Sequence, residues 1–166
     1  LMGQVEQGQH NWRRAIAYYN YAIELSPDFL EPYIKLGRFY LQQAAIAKAG
    51  KNSERENDYI KVAESQLEAA LRIDASHIDS ILLRASLQAY QGETDRAIDS
   101  LQKAMISAPG NVDVILLLSR LYVHQKLVGQ AEKLLDSAAA SLPTHIGIRL
   151  ELAKLYDTQK RYADAA

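Results

Sequence analysis

Cysteine is absent from the 166-residue sequence, which also contains only four prolines and eight glycines. Without cysteine the chain has no disulfide, no thiolate nucleophile and no cysteine-ligated zinc or iron–sulfur site. The few prolines and glycines leave no segment with the composition of a flexible linker. The length is that of one domain or one continuous array of small units. We therefore expect a single folded array over residues 1–166.

A strong charge of either sign is also missing. Nineteen Lys and Arg residues balance twenty Asp and Glu residues, so the formal net charge is −1. Apolar runs such as Val114–Leu118 are far shorter than the roughly 20 residues needed to cross a bilayer. Because no basic surface would attract a polyanion, we expect no nucleic-acid partner and no membrane insertion by this segment. The compartment of this soluble segment stays open between cytoplasm and periplasm.

The residue patterns of common active sites are not found in the sequence. There is no Gly-rich phosphate loop and no Gly-x-Ser-x-Gly nucleophile motif. The histidines are scattered and never paired at the spacing of a helical metal site: His10, His77, His124 and His145. We expect no catalytic residue, no metal site and no cofactor, and therefore a protein that is not an enzyme.

Small residues recur instead at a fixed interval of 34 positions. One alanine column consists of Ala63, Ala97, Ala131 and Ala165, and a second of Ala70, Ala104 and Ala138. A third column of small residues consists of Gly37, Ala85, Ser119 and Ala153. Between these columns apolar residues follow the three- and four-residue spacing of a helix face. Each repeat therefore reads as two helices, which approach closely where the small residues lie.

One interval is 14 residues longer than the others, because Gly37 and Ala85 are 48 positions apart. The insertion lies near residues 44–58. Its alanines favour helix, Gly50 suits a helix C-cap, and Ser53–Glu56 has the pattern of a capping box. We expect two helices that are each extended by about two turns and project beyond their neighbours. This projection is either tolerated surface variation or a contact for a partner.

Several of these positions match a known repeat family. The family's second helix is matched by Ala15-Ile16, Tyr19, Ala22-Ile23, Leu25 and Pro27, its first helix by Leu36-Gly37 with Tyr40, and its turn by Gln91-Gly92. The chain resembles the tetratricopeptide repeat (TPR) family over its whole length, although Arg84 replaces an expected apolar residue. The resemblance implies an all-α, right-handed superhelical solenoid of antiparallel helix pairs with about four to five repeats.

The repeat register divides the chain into five predicted parts. They are a partial first repeat over 1–29, a second over 30–77 with the insertion, a third over 78–111, a fourth over 112–145 and a partial fifth over 146–166. A first helix is expected over Leu1–Gln7 and the start of another at Ala163–Ala166. Because neither end has the polar character of a capping helix, we expect self-association through the array ends at high concentration.

In this family the first helix of each repeat lines a concave groove that usually receives a peptide or helix. The candidate groove residues form three successive turns: apolar Ile34, Leu82, Leu116 and Leu150; then Arg38, Ser86, Arg120 and Lys154; then Gln42, Tyr90, His124 and Thr158. Glu31, Asp79 and Asp113 lie near the helix starts. Each group has an alternative reading. In these alternatives the neighbouring helix partly covers the apolar column, the cations are simply solvated, and the acids only complement the helix dipole.

Two functions fit this sequence. The first is a non-catalytic scaffold that binds a peptide or helix segment of a protein partner in the groove. The alternative is a structural spacer or self-assembly module of a larger envelope, secretion or polysaccharide-export protein. The two differ in where contacts form, since a spacer would use its ends and its projecting hairpin.

Overall fold

The computed structural model describes residues 12–159, and all regular structure in that part of the chain is α-helical. Its eight helices are α1 (Trp12–Leu25), α2 (Leu30–Ala49), α3 (Ser53–Ile73), α4 (Ile78–Tyr90), α5 (Thr94–Ser107), α6 (Val112–His124), α7 (Val128–Ser141) and α8 (Ile146–Thr158). The helices expected over Leu1–Gln7 and from Ala163 lie outside the described residues, as do His10 and Ala165. Within residues 12–159 no helix combines the length and apolarity that a membrane span needs.

Two helix starts in the second unit are capped by side chains that accept hydrogen bonds from exposed backbone amides. Asn111 caps α6 as its sequence position indicates, with its side chain accepting a bond from the Val114 amide at 3.1 Å. His145 caps α8 in the same way, through Nδ1 and the Ile148 amide at 3.4 Å. These two residues are 34 positions apart, so the repeat register also positions the caps.

The contacts divide the chain into two compact units, with the boundary after Leu87 within α4. In the first unit α2 packs against both α1 and α3. One buried cluster there joins Ile34, Ala63, Ala70, Leu83 and Leu87, and a second joins Ala15, Tyr19 and Leu36. The single array expected over residues 1–166, with its repeat boundaries, stays a prediction.

In the second unit α6 packs against α5, α7 and α8, and α7 packs against α8. Its buried residues include the small-residue columns that the repeat interval identifies, namely Ala97, Ala104, Ala131, Ala138 and Ser119. Larger side chains fill the space between them, including Leu101, Leu118, Leu135, Ile148 and Leu155. Short side chains at these columns let the helix axes approach, and the leucines then bury apolar area against them.

The inserted residues form the extended hairpin that the sequence predicts. Helix α2 has 20 residues against 13 in α4, α6 and α8, and α3 has 21 against 14 in α1, α5 and α7. Each helix is therefore seven residues longer than its counterparts, or about two turns. An ion pair between Lys48 and Glu56, 3.7 Å apart, joins the two extensions.

The start of α3 differs from the sequence prediction, whereas the end of α2 agrees with it. The N-cap of α3 is Asn52, whose side chain accepts a hydrogen bond from the Arg55 amide at 3.1 Å, whereas Ser53 is the first helical residue. Gly50 is the C-cap of α2, as the sequence predicts, with φ −80°, and the left-handed conformation falls on the next residue, Lys51, at φ 56°. The turns after α4 and α6 likewise place Gly92 at φ 85° and Lys126 at φ 62°. Each of these three turns therefore has a residue in the left-handed conformation shortly after the helix end, and in two of them that residue is a lysine.

Candidate functional site

An open pocket of about 440 Å³ lies on the second unit and contains three of the predicted groove residues, Arg120, Lys154 and Thr158. Three helices line it: α6 contributes Ser119, Arg120 and Val123, α7 contributes Leu135, and α8 contributes Glu151, Lys154, Leu155 and Thr158. The four residues from α8 are spaced as one helix face, at i, i+3, i+4 and i+7. The regular helix geometry therefore brings them to the same wall.

A carboxylate shared by two cations dominates the polar side of this pocket. Arg120 donates from Nε to one oxygen of Glu151 at 2.8 Å and from Nη2 to the other at 3.1 Å. Lys154 Nζ lies 3.4 Å from the second oxygen. The Glu151 side chain is only 16 % exposed, whereas the Arg120 and Lys154 side chains are 57 % and 59 % exposed. The three groups therefore carry one net positive charge, which is presented to solvent.

The ionisation of the pair follows from these contacts. Hydrogen bonds from Arg120 hold the pKa of the Glu151 carboxyl below its ordinary value, although burial acts in the opposite direction. The same interaction raises the pKa of the Arg120 guanidinium. A bidentate arginine–carboxylate pair is both stronger and more directional than a simple charge contact. Both groups are therefore charged at neutral pH and hold each other in a fixed geometry.

The floor of the pocket is apolar. Leu135 and Leu155 are buried, and Val123 contributes a partly exposed aliphatic surface at the rim. An aliphatic side chain of a ligand would lose water against this floor, while a neighbouring charged or polar group would reach the ion pair. The arrangement suits recognition of a segment with an apolar residue beside an acidic one.

A second, larger pocket of about 630 Å³ lies on the first unit. Its lining residues are Phe29, Leu30, Glu31, Ile34, Lys35, Arg38, His77 and Asp79. Arg38 of α2 pairs with Asp79 in the first turn of α4, and Asp79 in turn lies 4.0 Å from His77 Nδ1. The same kind of contact thus occurs in both units, since an arginine of a first helix pairs with an acid of the next first helix.

The structure separates the predicted apolar column into two kinds of residue. Ile34 and Leu82 are only 3 % and 6 % exposed. These two side chains are therefore covered by neighbouring residues, which is the alternative interpretation of this column. Leu116 is half-buried, and Leu150 is exposed. Ile34 and Leu82 therefore do not contribute to an accessible apolar strip.

The remaining candidates lie on first helices and line neither pocket. Gln42 and His124 are exposed, whereas Ser86 and Tyr90 are half-buried. Ser86 donates its hydroxyl to the Leu82 carbonyl at 2.8 Å, within its own helix. The predicted cations are also less available than expected, because Arg38, Arg120 and Lys154 all contact acids of this chain.

Sequence reasoning missed the two residues that most define the pocket of the second unit, Glu151 and Val123. Glu151 has no acidic counterpart in the other repeats, where Lys35, Leu83 and Leu117 occupy its position. The one available signal is its spacing, three residues before Lys154 on the same helix. Asp79 was expected near a helix start, and its contact with Arg38 adds a tertiary role to that of a dipole partner.

No metal centre is formed within residues 12–159, where His, Asp and Glu side chains nowhere gather in a group of three suited to an ion.

Part of this chain matches the model of a known protein family. Residues 88–145 match the family model described as "Tetratricopeptide repeat". Comparison with curated proteins gives no significant match.

Three solved structures are similar along nearly the whole chain, and two of them are described as TPR proteins. TTC0263, a thermophilic TPR protein in Thermus thermophilus, is 22 % identical with a TM-score of 0.80, covering 92 % of this chain and 77 % of its own. The pilF protein of Pseudomonas aeruginosa is 17 % identical with a TM-score of 0.69, covering 99 % and 68 %. YrrB, described as a TPR protein with an unusual peptide-binding site, is 16 % identical with a TM-score of 0.57, covering 98 % and 77 %. The predicted all-α fold class is confirmed.

Proposed function

We propose that this chain, a tetratricopeptide-repeat protein by its fold and by the family match of residues 88–145, is a non-catalytic scaffold that binds a segment of a partner protein. The TPR fold is in general a protein-interaction fold, and one of the similar structures belongs to a protein with a peptide-binding site. What remains specific to this chain is where the segment binds and which chemistry it carries.

The site proposed is the pocket of the second unit, and one observation carries the proposal. An excess positive charge from Arg120 and Lys154 lies beside the apolar floor of Leu135 and Leu155 and the aliphatic rim of Val123. A short segment with one aliphatic residue and one neighbouring Asp or Glu satisfies both features. The aliphatic residue would supply most of the affinity by burial, and the acid would fix register and orientation.

The test begins with a display library of random peptides, each about a dozen residues long, selected on the immobilised 166-residue chain. Recovered peptides are synthesised, and their dissociation constants are measured by fluorescence anisotropy. We expect an enrichment of segments that combine an aliphatic with an acidic residue. We also expect micromolar affinity, as is common for short segments in an open pocket.

Two pairs of variants locate the binding site. Val123→Gln removes an apolar lining residue, and Leu127→Gln is its matched control, because both side chains are 40 % exposed and only Val123 lines the pocket. Lys154→Gln removes a cation of the pocket, and Lys103→Gln removes an exposed cation of α5 outside it. We expect the first member of each pair to weaken binding about tenfold, and the second to leave it unchanged.

The results separate the candidate functions. Peptides that bind all four variants equally well would rule out this pocket as the site. A library that yields no binder at all would overturn segment binding and favour the spacer or self-assembly function. Circular dichroism of each variant confirms that helix content is retained before binding is compared.

A further inference from the structure

The Arg120–Glu151 contact has the geometry of a ligand contact already made within the chain. A planar guanidinium binds a carboxylate best through two parallel N–H donors. In this pocket the Nε and Nη2 donors of Arg120 bind both oxygens of Glu151 at 2.8 and 3.1 Å. The edge of Arg120 that would be best suited to a ligand carboxylate is therefore occupied.

We propose that Glu151 is an internal competitor: it holds the ligand position on Arg120 in the free protein, and the acidic residue of a bound segment replaces it there. The proposal rests on the binding function proposed above and deepens it, since it assigns to one residue the control of affinity for acidic segments. The exchange swaps one carboxylate for another on the same two donors. The number of ion pairs on Arg120 is therefore unchanged.

Lys154 makes this exchange electrostatically possible. A carboxylate that is only 16 % exposed would be costly to leave without a cation. Lys154 Nζ lies 3.4 Å from Glu151 Oε2, from three residues further along the same helix. Its long, exposed side chain follows Glu151 if that residue turns away from Arg120. Glu151 thus keeps a counter-ion in both the free and the bound state.

The related contact in the first unit provides an internal comparison. Arg38 pairs there with Asp79, another acid on the following first helix. Arg38 and Asp79 line a different pocket, and neither residue belongs to the proposed binding site. Removing the charge of Asp79 therefore changes the chain by the same net charge as removing that of Glu151, without touching the site.

The experiment repeats the peptide selection on native protein and on Glu151→Gln, with Asp79→Asn as the charge-matched control. Affinities are then measured for the recovered acidic peptides and for versions in which Asp or Glu is replaced by its amide. Ion pairs with a largely exposed partner contribute little, so the competition from Glu151 is modest. We therefore expect Glu151→Gln to bind acidic peptides about twofold to fivefold more tightly than native protein, with no gain for the amide versions or for Asp79→Asn.

Each outcome decides between the two proposals. If native protein binds peptides and Glu151→Gln binds them equally or more weakly, internal competition is overturned while segment binding stands. If only Glu151→Gln selects acidic peptides, the native chain does not bind such segments and both proposals are overturned for it. If neither protein selects any peptide, both proposals fail. An equal gain for amide peptides would also overturn competition for the carboxylate position.

Discussion

Gly37 of α2 lies so close to Leu83 of α4 that a Cβ atom at residue 37 would be 2.5 Å from Leu83 Cδ2. Leu83 is fully buried, so its side chain has little room to turn away. The equivalent positions of the other repeats hold Ala85, Ser119 and Ala153. The small-residue column by itself would therefore predict that alanine fits at residue 37, whereas the contact with Leu83 leaves no room for its Cβ atom.

We expect Gly37→Ala to lower the free energy of unfolding by about 1–2 kcal/mol, because overpacking a tight contact outweighs the gain in helix propensity. The measurement is urea denaturation followed by circular dichroism. Gly129→Ala is the control, since no atom lies within 4 Å of a Cβ there, and it should be neutral or stabilising. A Gly37→Ala protein as stable as the native one would contradict the contact.

Ser80 is a second departure within a core column. It is fully buried, and among residues 12–159 its hydroxyl has no hydrogen-bond partner. The repeat register aligns it with Pro32, Val114 and Ile148, all of which are also buried. We expect Ser80→Ala to raise the free energy of unfolding by about 1 kcal/mol, because a buried polar group without a partner is removed.

Ser119→Ala is the matched control for this substitution. Ser119 is equally buried, but its hydroxyl donates to the Leu116 carbonyl at 2.9 Å. Its replacement should leave stability unchanged or slightly lower in the same denaturation experiment. A loss of stability for Ser80→Ala would mean that its hydroxyl has a partner that matters.

The repeat interval predicted the helices, the buried alanines and even the seven-residue extension of α2 and α3. These features depend on local spacing, which the sequence displays directly. The cap of α3 was misplaced by one residue because Asn52 and Ser53 are both good caps, and their order in the sequence does not decide which side chain faces the free amides.

The charged contacts of the candidate site were not predictable in the same way. Whether Arg120 faces solvent or an acid depends on the approach of α8, which is set by packing between repeats. Ile34 and Leu150 occupy the same repeat column, yet one is buried and the other exposed. Position in a repeat therefore predicts the type of residue, and the neighbouring helix determines how far its side chain is buried and what it contacts.

The cap of the extended hairpin gives a test at a single side chain. Asn52→Ala removes the acceptor for the Arg55 amide, and we expect it to lower the free energy of unfolding by about 1 kcal/mol. Ser53→Ala should have little effect, since Ser53 is already helical. The readouts are thermal denaturation and amide hydrogen exchange near Arg55. A larger loss for Ser53→Ala than for Asn52→Ala would move the cap back to Ser53.

The Arg120–Glu151 pair also predicts how stability depends on pH. The pKa of Glu151 is lowered in the folded protein from an unperturbed value of 4.5. The pair therefore contributes its full stabilisation above about pH 4.5, and this contribution is lost as the pH falls through the lowered pKa. Because Arg120 is largely exposed, we expect at most about 1 kcal/mol at neutral pH.

Comparison of native protein with Glu151→Gln isolates that contribution. Their difference in unfolding free energy, measured by urea denaturation from about pH 7 to about pH 3, should be largest at neutral pH. It should shrink on the acid side of pH 4.5, where Glu151 becomes protonated. Added salt should reduce the neutral-pH difference, because partly exposed charges are screened. A difference that stays constant over this range would show that Glu151 acts through packing, and would remove the electrostatic basis for its exchange with a ligand carboxylate.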